Sequence, residues 1–490
     1  MADTPDVLVV GGGASGLLCA ISAAYRGLSV RVLEMGPKVG LKILVSGGGR
    51  CNFTNRRVDP REHFLSENAH FCISALKRFT PEDFIEMVET AGIAYHEKTL
   101  GQLFCDHSAK DIVAMLLAHC DAGGVDIRLR QKATAIHPLP EGGYRVETVG
   151  GTFSAPQVVL ATGGLSLPKI ASDLALREAE RHGLGRVAPR AGLVPLTWRS
   201  VDKLRFEPLA GIAVDALVAT GGASFRENVL FTHRGLSGPA VLQVSSYWRE
   251  GEALEINLLP DLEALGWLKD GQRRFPRQQL STLLKSALPA RLVDVLVMTD
   301  FTDAQLANIS DRTLERLAEF LGAWRAYPNG TEGYRTAEVT LGGVATEEVS
   351  SKTFETQKFP GLYLVGEALD VTGWLGGYNF QWAWALGLVL WPAFALPYPL
   401  GGGPSQILAD VFGSNQVVDR APDGDCGNHV HHGVANRLET EMRLEEVAHP
   451  AYEKGTAAEA DKIQNEEQNR RGQGAHAQAH EGVGDGDVWR

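Results

Sequence analysis

Long hydrophobic runs are scarce in this 490-residue chain. The main one, residues 380–396, is short for a bilayer span, contains Gln381 and is broken by Pro392. It is expected to be a buried helix, and no membrane is expected as a partner. Cysteine is also sparse. The six cysteines, Cys19, Cys51, Cys72, Cys105, Cys120 and Cys426, include no CxxC redox pair and no zinc-ribbon spacing. The first residues are acidic and run straight into a short apolar stretch, unlike the basic start of a secretory signal. A reducing, cytoplasmic location is expected. Positive charge is in deficit: 47 Lys and Arg against 59 Asp and Glu give a formal net charge of −12. Such a chain repels phosphate overall, so the expectation is a small-molecule substrate and no nucleic-acid partner.

Apolar residues make up 44% of the chain, enough for one large domain or two to three ordinary ones. Residues 7–10 are an apolar run ending at Gly11 and read as a buried strand. Residues 14–26 are rich in helix formers, with Leu17, Leu18, Ile21 and Ala24 near helical spacing. Residues 28–33 read as a second strand, closed by Glu34, so one βαβ unit opens the chain. Residues 36–58 are glycine-rich and read as loop. Helices are predicted at 81–90 and 108–120, the latter capped by Ser108 with Asp111 in its first turn. Strands are predicted at 125–130, 133–137, 144–148 and 157–160.

The texture changes near residue 191. Short strands at 212–219, 229–232 and 254–258 precede a mostly helical stretch, 262–326, and strand texture returns at 338–341. Residues 362–365 are another apolar strand, followed by a glycine-rich loop and the long apolar helix. The expected fold class is α/β. A Rossmann-like domain over residues 1–190 and 352–396 is interrupted by a domain over 191–261 and 327–351, with a helical subdomain over 262–326. Residues 397–490 are polar and poor in aromatics, so a disordered tail is expected.

Four glycine-rich segments carry chemistry. Gly11, Gly13 and Gly16 fit G-x-G-x-x-G between a strand and a helix. Gly11 permits the tight turn, Gly13 lets a diphosphate approach, and Gly16 lets helix and strand pack. The helix opened by Ala14 and Ser15 offers its N–H groups and dipole to the diphosphate. Glu34 ends the second strand, where a carboxylate accepts from a ribose hydroxyl. The motif signals a dinucleotide and leaves FAD and NAD open. In the second segment, Ser46, Gly47, Gly48 and Asn52 supply donors, while Lys42 and Arg50 supply charge. Cys51 there is either a redox thiol or a small buried residue beside a cofactor.

The third segment ends a strand at Thr162 and Gly163; with the first it points to FAD more than to NAD. The fourth runs through Gly366, Glu367 and Asp370 to Gly376, Gly377, Tyr378 and Asn379. It aims a second helix N-terminus at the flavin edge that becomes negative on reduction. Ala133 completes the expected cofactor contacts. Trp382 and Trp384 are expected in the core. His233 either touches substrate or flavin edge or lies in a surface turn. Cys426, His429, His431 and His432 could bind metal adventitiously, and no functional metal site is expected.

With these motifs in place, the chain resembles the bacterial flavoproteins of the BaiN/RdsA type, which include aminoacetone-oxidase-like chains. The resemblance rests on Gly11–Gly16, on Ser46-Gly47-Gly48-Gly49-Arg50-Cys51-Asn52-Phe53-Thr54-Asn55, and on the runs 101–105, 162–166, 230–239, 337–344 and 376–383. It spans nearly all of residues 5–390. It departs at Ala171-Ser172-Asp173-Leu174, where the family carries a glycine, and after about Leu388, where Trp391-Pro392 and a polar tail replace small helical residues. The resemblance implies bound FAD, a Rossmann-like FAD domain, and an inserted β-barrel-like domain with a helical subdomain. It implies redox chemistry without one substrate: members are tied to reduction of steroid-like enones and to amine oxidation. The expected reaction is hydride transfer between flavin and a small organic substrate, with NAD(P)H as a candidate donor. No second G-x-G-x-x-G is visible, and no catalytic acid or base is named. The alternatives are a flavin-dependent RNA-modifying enzyme and a redox-silent flavin-binding scaffold.

Overall fold

Four consecutive apolar residues leave a strand no face suited to water, and the computed structural model buries Val7–Val10 on all sides. This strand is the centre of a five-stranded sheet ordered Leu362–Leu364, Gln157–Leu160, Val7–Val10, Val30–Leu33, Asp126–Arg128. Every pairing in it is parallel. The structure describes residues 4–389, and the expectations for the tail lie outside them.

Parallel neighbours need crossovers, and Ala14–Ala24 supplies the first. It packs against the helix Tyr378–Val389. There Gly387 lets the backbones close: a Cβ on it would lie 2.7 Å from Leu18 Cβ. Ala109–Ala122 starts at the expected cap, with Ser108 and Asp111 forming a reciprocal capping box.

Residues 36–58 differ from the loop expected. They hold a helix, Leu41–Val45, a 3-10 turn, Ser46–Gly49, and a strand, Asn52–Asn55. The helix is too short for apolar periodicity to register. The strand pairs with Gln102–Cys105, far along the chain, and buries polar Thr54 and Asn55 by bonding their side chains.

A second hydrophobic core is built around a seven-stranded antiparallel sheet. Its order is Trp324–Ala326, Leu254–Asn257, Ala213–Thr220, Ala223–Phe231, Gly235–Ser237, Leu196–Thr197, Gly330–Thr331. Helices Ala264–Arg274, Leu280–Leu284, Ala290–Thr299 and Asp311–Ala323 bury their leucines in the same core. Arg186–Gly192 pairs with Val339–Val344, a ladder that returns the chain toward the parallel sheet.

The apolar run near residue 380 is a buried helix over its described part. Gln381 is fully buried and satisfied: Oε1 accepts from Thr54 Oγ1 at 2.7 Å and Nε2 donates to the Phe79 carbonyl at 3.0 Å. No helix of the described residues is long and apolar enough to cross a membrane. Gln381→Leu strips two buried groups of these bonds, so denaturant unfolding is expected to show a loss of about 2 kcal/mol. An unchanged midpoint would mean that the helix does not depend on this link.

Candidate functional site

Beyond the C-terminal ends of the parallel strands lies a cleft of about 630 Å³. This is where open α/β sheets hold ligands. Its first wall is the Gly11–Ser15 turn. Gly11 has φ +112°, and a Cβ there would lie 2.3 Å from the Ala161 carbonyl oxygen. Gly16 faces away from the cleft and packs on Gly11, whose oxygen would be 1.9 Å from an added Cβ. Gly13 differs: nothing lies within 4 Å of its missing Cβ, which leaves an open cradle. No side chain caps the helix that follows, so its first amides are left for a ligand. Glu34 is held at the cleft by the amides of Gly12 at 2.8 Å and Gly36 at 2.6 Å. A carboxylate accepts about four bonds, so acceptor capacity remains for hydroxyls.

The rest of the lining comes from residues distant in sequence. Lys42 Nζ donates to Glu367 Oε2 at 2.6 Å and to Ser166 Oγ at 2.8 Å. Glu367 Oε1 accepts from Thr340 N–H at 2.7 Å. One ion pair thus ties the short helix Leu41–Val45 to the strand Val339–Val344. Gly47 and Gly48 take left-handed φ of +56° and +67°, and their turn lines the cleft. The Asn52 amide is assigned with its oxygen accepting from Gly377 N–H at 3.2 Å and its nitrogen donating to the Leu103 and Thr54 carbonyls. Gly377 sits against Thr54, whose carbonyl oxygen would be 2.4 Å from a Cβ. Asn379 closes its turn by bonding both backbone groups of Gly373 at 2.8 Å.

Most of the expected contact residues therefore meet. Gly11, Gly13, Ala14, Ser15, Glu34, Lys42, Ser46, Gly47, Gly48, Asn52, Ala133, Thr162, Gly163, Glu367, Gly376, Gly377 and Asn379 all line the cleft. Gly16, Arg50, Cys51, Gly366, Asp370 and Tyr378 do not. Gly366 packs on Ser15, and Asp370 accepts from Glu67 N–H at 2.8 Å. Tyr378 packs its ring on His63. Cys51 is buried beneath the loop, and burial pushes its thiol up to about 12, which leaves the neutral SH form. His233 is exposed in a turn away from the cleft, and Trp382 and Trp384 are buried. The Cys426 cluster lies outside the described residues.

Several lining residues were missed in the sequence: Gln102, Phe104, Lys132, Thr336, Glu338 and Trp374. Gln102, Phe104 and Glu338 stand within runs that carry the family resemblance, which was the available signal. Three residues of the lining each bury a polar atom without a protein hydrogen-bond partner: Thr162 Oγ1, Thr336 Oγ1 and Trp382 Nε1. The Gly13 cradle and the uncapped helix fit a large, polar, phosphate-bearing cofactor such as FAD.

Residues 5–390 match the family model described as HI0933-like protein Rossmann domain. A ribosomal RNA dihydrouridine synthase of Escherichia coli (strain K12) is 51% identical over 383 residues, covering 78% of this chain and 95% of that protein. A protein of the same name from Haemophilus influenzae is 46% identical over 391 residues, covering 79% and 97%. A 3-dehydro-bile acid delta(4,6)-reductase of Clostridium scindens is 31% identical over 405 residues, covering 77% and 96%. The first two names overturn the expectation of no nucleic-acid partner. That expectation averaged charge over the whole chain. Residues 390–490 alone carry 16 Asp and Glu against 8 Lys and Arg, which is −8 of the −12. The matched part is close to neutral, and a sum of charges says nothing of a local face. The chain belongs to the HI0933-like Rossmann family, the flavoprotein oxidoreductases of the BaiN/RdsA type.

Proposed function

We propose that the chain binds FAD in this cleft and reduces a carbon–carbon double bond conjugated to a carbonyl, with uracil in ribosomal RNA as the substrate class. The reading rests on one observation above all. The cleft, with the glycine turns that line it, belongs to a chain about half identical to two named ribosomal RNA dihydrouridine synthases over nearly their full length. Gly11, Gly13, Ala14 and Ser15 would seat the diphosphate, Glu34 the ribose, and Lys132 and Ala133 the adenosine end. Ser46 to Gly48, Asn52, Gly376 and Gly377 would hold the isoalloxazine ring. Bound FAD, once reduced, supplies a hydride. NAD(P)H is the proposed source of electrons; with no second dinucleotide turn in the sequence, it would enter the same cleft before the substrate does.

The division of labour follows the two cores. We read residues 1–190 and 352–396 as the cofactor-holding part. The inserted part, 191–351, contributes Leu193, Thr336 and Glu338 to the cleft and would face the substrate. Five described cysteines are free and buried, which suits the cytoplasm.

An RNA substrate needs cations at the cleft mouth. Arg50, Arg57 and Lys98 are exposed and have no acidic partner among the described residues, whereas Arg56 pairs with Glu97 at 3.2 Å. They flank the strands Asn52–Asn55 and Gln102–Cys105, and Lys98 lies 4.3 Å over the ring of cleft-lining Phe104. Replacing all three by Ala is expected to weaken RNA binding and to lower its salt slope by about 0.7 per lost phosphate contact. A salt slope equal to that of the native protein would place the RNA elsewhere.

The test of function is direct. The full chain with FAD and NADPH or NADH is incubated with a ribosomal RNA transcript, and the nucleosides are weighed. Uridine gaining two hydrogens is expected. The bile-acid relative supports a second reading, a steroid-like enone as substrate. Turnover of a 3-oxo-Δ4 steroid with none of the transcript would favour it.

A further inference from the structure

Reduction of a conjugated double bond needs a proton as well as a hydride, and few groups in the cleft can give one. Among its lining residues there is no histidine, cysteine, tyrosine or aspartate. The ionisable side chains are Glu34, Glu338, Glu367, Lys42 and Lys132. Glu34 is engaged by two backbone amides, and Glu367 is fixed by Lys42 and the Thr340 amide. Lys132 lies with Gln131 and Ala133 at the Glu34 end, because the Gln131 amide bonds the Glu34 carbonyl. Of the three glutamate side chains in the lining, that of Glu338 alone has no hydrogen bond or ion pair with a described residue. It stands on the wall formed by the inserted part, and its carbonyl accepts from Ser166 Oγ at 3.1 Å, the hydroxyl that Lys42 also holds.

Building on the reductase reading above, we propose that Glu338 is the proton donor to the substrate. The double bond takes a hydride from the reduced flavin at the carbon remote from the carbonyl. The Glu338 O–H bond then breaks and its proton goes to the carbon next to the carbonyl. The carboxylate left behind regains a proton from water, and the flavin ends oxidised by two electrons.

The surroundings favour the acid form. Glu338 lines the cleft and keeps contact with water, and the protein packed around it raises its pKa above the ordinary carboxylate range. Lys42, the charged group that acts on it, pulls the other way; that ammonium is already paired with Glu367. A substrate filling the cleft would remove the remaining water and strengthen the effect.

The test is anaerobic re-oxidation of the reduced, FAD-loaded full chain by a ribosomal RNA transcript, run across pH. Glu338→Gln cannot donate a proton and is expected to re-oxidise about 100-fold more slowly, in the range of general-acid effects. Its FAD content, melting midpoint and rate of reduction by the donor should match the native protein. Glu338→Asp should recover part of the rate. The native rate should fall as pH rises through the raised pKa, and that limb should vanish in the Gln variant. An infrared titration of the protein alone should lose one carboxyl band in Glu338→Gln. A Gln variant that re-oxidises at the native rate, or that loses FAD, would overturn the assignment. Native protein that no transcript re-oxidises would remove the reductase reading itself, and the assignment with it.

Discussion

Gly13→Ala is expected to give a stable protein that holds FAD at least tenfold more weakly, a loss of about 1.4 kcal/mol or more. Gly13 has an ordinary φ of −86°, and no protein atom lies within 4 Å of the added methyl. The apoprotein should lose no more than about 1 kcal/mol, from the poorer N-cap. The methyl instead enters the space assigned to the diphosphate. Gly16→Ala is the complementary case. Its methyl meets the Gly11 oxygen at 1.9 Å and Ala161 Cβ at 3.2 Å, so the helix must leave the strand. Overpacking of this kind costs about 1–3 kcal/mol or more, and the variant should be both unstable and colourless. Calorimetric titration with FAD, beside thermal melts of both apoproteins, separates the two cases. Equal FAD affinity in Gly13→Ala would show that the cradle is not where the diphosphate lies.

Lys42→Met and Glu367→Gln are expected to be strongly non-additive. Either change alone leaves a charge on the cleft wall without its counter-charge. The side chains are 34% and 18% exposed, so the pair lies between a surface bridge, worth under about 1 kcal/mol, and a buried one, whose breakage costs about 3–5 kcal/mol. A coupling energy of about 2 kcal/mol is expected from a double-mutant cycle in urea. Because Glu367 also anchors Thr340 and Ser166, each single variant should loosen the loop at Gly163 and Gly164. A coupling near zero would mean that the wall is held by its backbone contacts alone.

Most of the parallel sheet was legible because its other four strands are short, largely apolar runs, whereas the edge strand Asp126–Arg128 is polar and only partly buried. The first glycine turn was legible for the same reason: its residues are contiguous, and the strand and helix that give it meaning adjoin it. Glu338 was not, because nothing local distinguishes a cleft carboxylate from a surface one. Its role depends on Val339–Val344 pairing with Arg186–Gly192, some 150 residues away, and on what Glu34 and Glu367 bond to. Asp370 and Tyr378 show the converse. They sit in the right glycine-rich segment, yet the turn at Gly373 sends their side chains toward Glu67 and His63. Net charge misled about nucleic acid because a sum over the chain mixes the tail with the residues that build the cleft.

The decisive measurement is the cofactor content of the purified full chain after desalting, read from its visible spectrum and from the mass of the released small molecule. One FAD per chain is expected in the native protein, with Gly13→Ala depleted at an unchanged apoprotein melting point. Folded native protein that is colourless and takes up no FAD on incubation would contradict the convergence of these glycine turns on one flavin.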